Sequence, residues 1–181
     1  MMGKGFAPIP IVAATTPAHI AAARELFAEY AGWLGIDLTF QKFEAELAGL
    51  PGAYTPPTGA LLLAFAHRPD ENARSASASD SAGEPAVLGC VALRPLGPSA
   101  EATCEMKRLY VRPAARGMGL GRLLVEAVLR EAQRLNYRRM RLDTLRSLTA
   151  AMKLYAALGF REIPAYYSNP LPGVAYFEKA W

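Results

Sequence analysis

The sequence predicts an α/β fold of the α+β type: a single mixed, mostly antiparallel sheet with a central parallel β-α-β unit and helices on both faces. Three observations lead there. Short apolar runs alternate with helical patterns in the order β-α-α-β-β-β-α-β-α-β-β. A glycine-rich turn at 116–121 joins a strand to the strongest helical pattern in the chain, and a strand-helix-strand unit of this kind is a right-handed parallel crossover, while the other strands can pair antiparallel. The 181 residues are 52% hydrophobic, enough for one domain with a real core and too apolar for a chain disordered throughout.

Residues 9–14 (IPIVAA) form a short apolar run, read as the first strand. Thr16 then stands as N-cap with Pro17 in the first helical position. Ile20, Ala23, Phe27, Tyr30, Ala31 and Leu34 recur at helical spacing until Gly35. A second helix is expected from about Thr39 to Leu47, with Phe40, Phe43 and Leu47 on one face. The run 59–66 is too short and continuous for an amphipathic helix and reads as a buried strand, as does Val87–Leu93. Between them, 68–86 is rich in Ser, Ala, Asp and Glu without apolar period, and is expected to be a flexible hairpin loop inside one domain spanning 1–181.

Thr103–Val111 is the next strand, ended by Pro113. In the helix after the glycine turn, Leu120, Leu123, Leu124, Ala127, Val128, Ala132 and Leu135 line one face. Arg139–Asp143 alternates as a strand. Leu148, Ala151, Leu154, Tyr155 and Leu158 give a last helix, closed by Gly159. Strands at 160–163 and 174–179 finish the chain.

No run of 18 residues is apolar without charge or proline, so a membrane span is excluded. The best secretory candidate, 6–14, is broken by Pro8 and Pro10, and a cytoplasmic protein is expected. Cys90 and Cys104 lie in apolar strands with no histidine near them. They read as buried side chains and no metal site is expected. His19 and His67 are assigned no chemistry.

The net charge of +4 is unevenly spread. From Lys107 to Arg146 there are 11 basic residues and three acidic ones, a balance of +8, which leaves −4 for the rest. Such a segment suits a polyanionic ligand. Its arginines are scattered over a turn, a helix and a strand without interleaved aromatics, which disfavours nucleic acid. A phosphate-rich cofactor is the better reading.

The turn Arg116-Gly117-Met118-Gly119-Leu120-Gly121 explains where that ligand binds. A helix start presents unpaired N–H groups and the positive end of a dipole, and glycines let an anion approach them. Arg116 and Arg122 add charge. A P-loop would need Lys-Ser or Lys-Thr after its last glycine, where Arg122-Leu123 stands. Asp143 sits where the ribose-binding acid of a dinucleotide fold would lie. However, the five residues between Val111 and Gly117 make the connection too long for that tight turn, so this reading ranks second.

Arg116-x-x-Gly119-x-Gly121 resembles the Gln/Arg-x-x-Gly-x-Gly/Ala signature of the GNAT superfamily of N-acetyltransferases. Leu154-Tyr155-x-x-Leu158-Gly159-Phe160 resembles the second motif of that superfamily, and the strand Cys104–Val111 feeding the turn is similar as well. The resemblance is strong from about residue 87 onward. It implies transfer of an acetyl group from acetyl-coenzyme A, as cosubstrate, to a primary amine. The alternative is a noncatalytic acyl-CoA-binding sensor of the same fold. The resemblance also implies that the pantetheine arm lies along Leu109-Tyr110-Val111, held by the backbone of Leu109 and Val111. The pyrophosphate would lie over the turn Arg116, Gly117, Met118, Gly119, Leu120, Gly121 and Arg122. Many members carry Asn where Leu148 stands here.

Amine attack on a thioester needs a base for the ammonium proton and a donor for the thiolate. Glu105 occupies a position where some members carry a glutamate base. With strict strand alternation it would share a face with Lys107, Leu109 and Val111, and its competing role is an ion-pair partner. Tyr155 is the implied thiolate donor, and its competing role is a core aromatic. Tyr30, Trp33, Tyr166 and Tyr167 are candidates to line the acceptor site. The acceptor is expected to be a small-molecule or peptide amine, and the sequence leaves a homodimer open.

Overall fold

A computed structural model describes residues 9–66, 85–97 and 101–181. Almost all of the expected hairpin loop at 68–86 lies outside these residues. The elements are β1 Ile11–Ala13, α1 Pro17–Leu34, α2 Phe43–Ala48, β2 Ala60–Phe65, β3 Val87–Pro95, β4 Thr103–Val111, α3 Leu120–Arg134, β5 Arg139–Leu145, α4 Thr149–Ala157, β6 Arg161–Ile163 and β7 Val174–Ala180, in the order expected. They build one seven-stranded sheet ordered β1-β2-β3-β4-β5-β7-β6. Among the described residues only β4 and β5 pair parallel, joined through α3. The other neighbours are antiparallel.

Each face of the sheet packs a separate core. On one face Ala60, Leu62, Val91 and Leu93 meet Leu120, Leu124 and Val128 of α3, with Tyr155 of α4. On the other, Leu61, Leu63 and Cys90 meet Ala23, Leu26 and Phe27 of α1 and Phe43 of α2. Both faces of β2 are buried, which is why its sequence is continuously apolar. Thr16 caps α1 by accepting the His19 N–H at 3.1 Å, and Gly35 ends the helix.

Two local expectations are corrected. The second helix does not run unbroken from Thr39: a 3-10 turn over Thr39–Gln41 precedes α2, and Lys42 between them has φ +56°. Alternation along β4 is also broken. Cys90 lies opposite Tyr110 but Ala92 opposite Lys107, so β4 holds one extra residue there, with Arg108 at φ +56°. This β-bulge reverses the facing of everything beyond it. Glu105 and Lys107 therefore do not share a face with Leu109 and Val111, which instead join Cys104 and Met106 on the α3 side.

Candidate active site

The parallel pairing of β4 and β5 lasts only from Thr103–Glu105 against Arg139–Arg141. Beyond it the two strands run on without pairing to each other, and a cavity of about 450 Å³ occupies the gap. Its walls are Met106–Val111 of β4, Leu142–Leu145 of β5, the first turns of α4 and the end of α1. The inner edges of both strands face this space with backbone, so an extended ligand can pair with them as a strand would. Lys107 and Asp143 face one another across the gap, with Nζ donating to Oδ1 at 3.2 Å.

At one end the cavity reaches Arg116 and Gly121 at the start of α3. Gly117 and Gly119 have φ of +80° and +76°, and a Cβ built on either would meet nothing within 4 Å. Left-handed backbone with open space above it is what an anion cradle requires, and only glycine adopts it without strain. Gly119 caps α3 without a side-chain bond, and the first turn carries no acid to compete for the N–H groups. Arg116 donates Nε–H to the Val111 carbonyl at 3.0 Å and lies 4.5 Å over the Trp33 ring, which fixes its guanidinium beside the turn. Arg122 is tied to Glu126 at 2.8 Å, so half of the charge expected of this pair is neutralised. Met118 is exposed, and Leu120 is buried in the core and offers only its backbone.

Tyr155 lies in the α4 wall of the cavity, 5% exposed, with Phe160 and Phe177 packed against its ring. Among the described residues its hydroxyl has no hydrogen-bond partner. Burial, helped by Tyr30 and Asp143, pushes the phenol up, so it holds its proton at neutral pH. Ser147 and Leu148 line the adjoining turn.

The opposite end carries charge. Arg108, at the bulge, forms a two-pronged bond to Glu46 of α2 (2.9 and 2.6 Å), and Glu46 also accepts the Tyr54 hydroxyl at 2.6 Å. Burial would push the Glu46 carboxyl up, but the hydrogen bonds and charge of Arg108 outweigh it and hold Glu46 below the usual carboxylate range. Glu105 is not on the cavity wall. It is 1% exposed, its Oε2 takes Arg94 at 2.7–2.8 Å, and its Oε1 takes the Tyr166 hydroxyl at 2.8 Å. Tyr30 and Trp33 do line the cavity. Tyr166 and Tyr167 stand behind it, and their loop supplies Asn169 and Leu171 instead.

The structure thus brings Leu109, Tyr110, Val111, Arg116, Gly121 and Tyr155 to one cavity. Gly117, Met118, Gly119 and Arg122 sit at its mouth on the exposed turn, and Glu105 lies apart. Sequence reasoning missed Asp143 as a wall residue and the Arg108–Glu46 pair. Alternation along β5, which puts Arg139, Arg141 and Asp143 on one face, held the signal for the first. The pair joins residues 62 apart in the chain and left no local signal.

The fold aligns with solved acyl-CoA N-acyltransferases. An N-acetyltransferase of Thermoplasma acidophilum, crystallised in complex with coenzyme A, superposes with a TM-score of 0.66 at 17% identity, over 97% of this chain and all of the other. That likeness establishes a shared fold. The sequence agrees: the family model described as "Acetyltransferase (GNAT) family" matches residues 40–160. An uncharacterized N-acetyltransferase of Schizosaccharomyces pombe is 40% identical over 168 residues, 93% of this chain and 92% of the relative. One of Dictyostelium discoideum is 30% identical over 80% of this chain and 86% of its own. The chain belongs to the GNAT family of acetyltransferases. No described helix is long and apolar enough to cross a membrane.

Proposed function

We propose that this enzyme transfers an acetyl group from acetyl-coenzyme A to a primary amine by direct attack, in the cytoplasm. The observation that carries the reading is the unpaired stretch of β4 and β5 with the Tyr155 hydroxyl bordering it and the open glycine turn at its mouth. The residues fit the donor molecule in kind. N–H groups at the start of α3 and the Arg116 guanidinium suit a pyrophosphate, and the backbone of Leu109 to Val111 suits an amide-bearing arm.

Tyr155 then gives its proton to the departing thiolate. A raised phenol suits this task, because the proton stays in place until a strong acceptor appears. A backbone N–H near Val111 steadies the thioester oxygen as it gains charge. Glu105 takes the ion-pair role that was its alternative, fixing Arg94 and Tyr166 behind the cavity. The acceptor end, with Tyr30, Gln41, Asn169 and the Lys107–Asp143 pair, fits a compact polar amine.

The test is thiol release from acetyl-coenzyme A against a panel of amines, together with thermal shifts. Acetyl-coenzyme A should raise the melting temperature through binding to the native state, and NAD should not. A shift with NAD alone, or no thiol release with any amine, rejects the proposal.

A further inference from the structure

We infer that Asp143 anchors the acceptor ammonium and removes its proton. This rests on the transfer reaction proposed above and names the group that reaction still lacks. A base must reach the amine from the cavity wall, and three carboxylates lie near the gap, of which Glu46 is taken up by Arg108 and Tyr54 and does not border the cavity. Glu105 has both oxygens in short bonds, its side chain is 2% exposed, and it does not border the cavity. Asp143 does border it, with 13% of its side chain exposed. Its contacts are long: Lys107 Nζ at 3.2 Å on Oδ1 and Asn169 Nδ2 at 3.4 Å on Oδ2, and the Tyr167 hydroxyl, which accepts from Asn169 Nδ2, also donates toward the carboxylate. A carboxylate accepts at about four sites, so with three donors on it one remains for an incoming N–H. Gln41 Oε1, a buried acceptor with no partner among the described residues, belongs to another wall of the same cavity and is available to accept a hydrogen bond from the ammonium.

The groups facing Asp143 come from five elements. Lys107 is on β4, Tyr176 pairs with it from β7, Tyr167 and Asn169 are on the loop before β7, Tyr155 is on α4 and Tyr30 on α1. The phenols of Tyr30, Tyr155, Tyr166, Tyr167 and Tyr176 are all pushed up, first by burial, with the charge of Asp143 adding to it. They stay neutral, so the charged side chains lining this end are Lys107, Arg108 and Asp143, with Arg108 already paired to Glu46.

The step balances. Asp143 takes one proton from the ammonium, and the freed amine nitrogen attacks the thioester carbon. The C–N bond forms as the C–S bond breaks. The thiolate takes the Tyr155 proton, and the second nitrogen proton returns to Tyr155. Asp143 releases the first proton to solvent.

The experiment compares the wild type, Asp143→Asn, Asp143→Glu and Glu105→Gln across pH, with the best alkylamine from the panel and with hydroxylamine, a weak base already neutral at pH 7. With the alkylamine, Asp143→Asn should lower kcat/KM about 10²–10⁴-fold at neutral pH, and the residual rate should climb with the free-amine fraction. With hydroxylamine the loss should be under about tenfold, because no base is needed. Asp143→Glu should restore the wild-type profile shape, Glu105→Gln should keep it, and acetyl-coenzyme A affinity should be unchanged in all. Equal losses with both acceptors, or an altered profile in Glu105→Gln alone, overturns the assignment. If Asp143→Asn does not fold, a profile in Asp143→Glu that tracks the free amine does the same. A wild type that turns over no amine overturns the transfer reaction itself, and this assignment with it.

Discussion

Near α3 the cavity wall is backbone and apolar side chain: the edges of β4 and β5, the glycine turn and the ring of Tyr155. Toward α1 and α2 the wall is built of paired charges, Arg108 with Glu46 and Lys107 with Asp143. Atoms at the first end are fixed by secondary structure and recognise one invariant kind of partner. Atoms at the second end are fixed by other side chains, some of them 62 residues away, and recognise whatever those partners leave exposed. Changes at the first end should therefore act chiefly on rate or donor binding, and changes at the second on stability and acceptor choice, with Asp143, as the inferred base, the exception that acts on rate.

The largest expected effect is at the apolar end. Tyr155→Phe keeps the packing on Phe160 and Phe177 and removes only the hydroxyl. Turnover should fall about 10²–10⁴-fold with acetyl-coenzyme A affinity nearly unchanged, measured by steady-state kinetics and titration. An unchanged rate would make Tyr155 a core aromatic.

Glu46→Ala comes next and should act on the fold. It leaves the Arg108 guanidinium buried without its partner, a change that typically removes about 3–5 kcal/mol, read as a lower urea midpoint. If stability holds, the charged end is not a structural unit. Gly119→Asp puts a side chain and a negative charge over the open turn. Coenzyme A affinity should drop about 100-fold, near 2.7 kcal/mol, beyond the loss of about 1–2 kcal/mol in unliganded stability that the left-handed φ at 119 imposes on any side chain.

The smallest effect is in pH. The Glu46 carboxyl is held below its ordinary value of 4.5 in the folded protein, so its contribution to stability is present above that value and fades as pH falls through the folded one. The stability gap between wild type and Glu46→Gln should be full at pH 7 and shrink below about pH 4. A gap that stays constant to pH 3 would show that Arg108 is held by something else.

The same division explains what the sequence disclosed. The order of elements, the N-cap at Thr16, the stops at Gly35 and Gly159 and the left-handed glycine turn before α3 rest on neighbours in the chain, and the structure carries each of them. Lys42 broke the second helix because a single residue in left-handed conformation leaves no composition signal. Leu109 and Val111 were placed beside Glu105 because alternation counts residues and cannot see an insertion. The burial of Glu105 depended on Arg94 and Tyr166, which lie 11 and 61 residues away and give no spacing to read.

The extra residue at Arg108 also has a meaning for redesign. It makes β4 a seam between two surfaces: Glu105 and Lys107 lie on one side of the sheet, while Leu109 and Val111 are turned to the α3 side. Removing that one residue would fuse the surfaces, exchanging the facing of every side chain on one side of the gap. An engineer seeking a new acceptor must therefore leave the length of this strand alone, and keep Glu105 and Arg108 in the ion pairs that hold it.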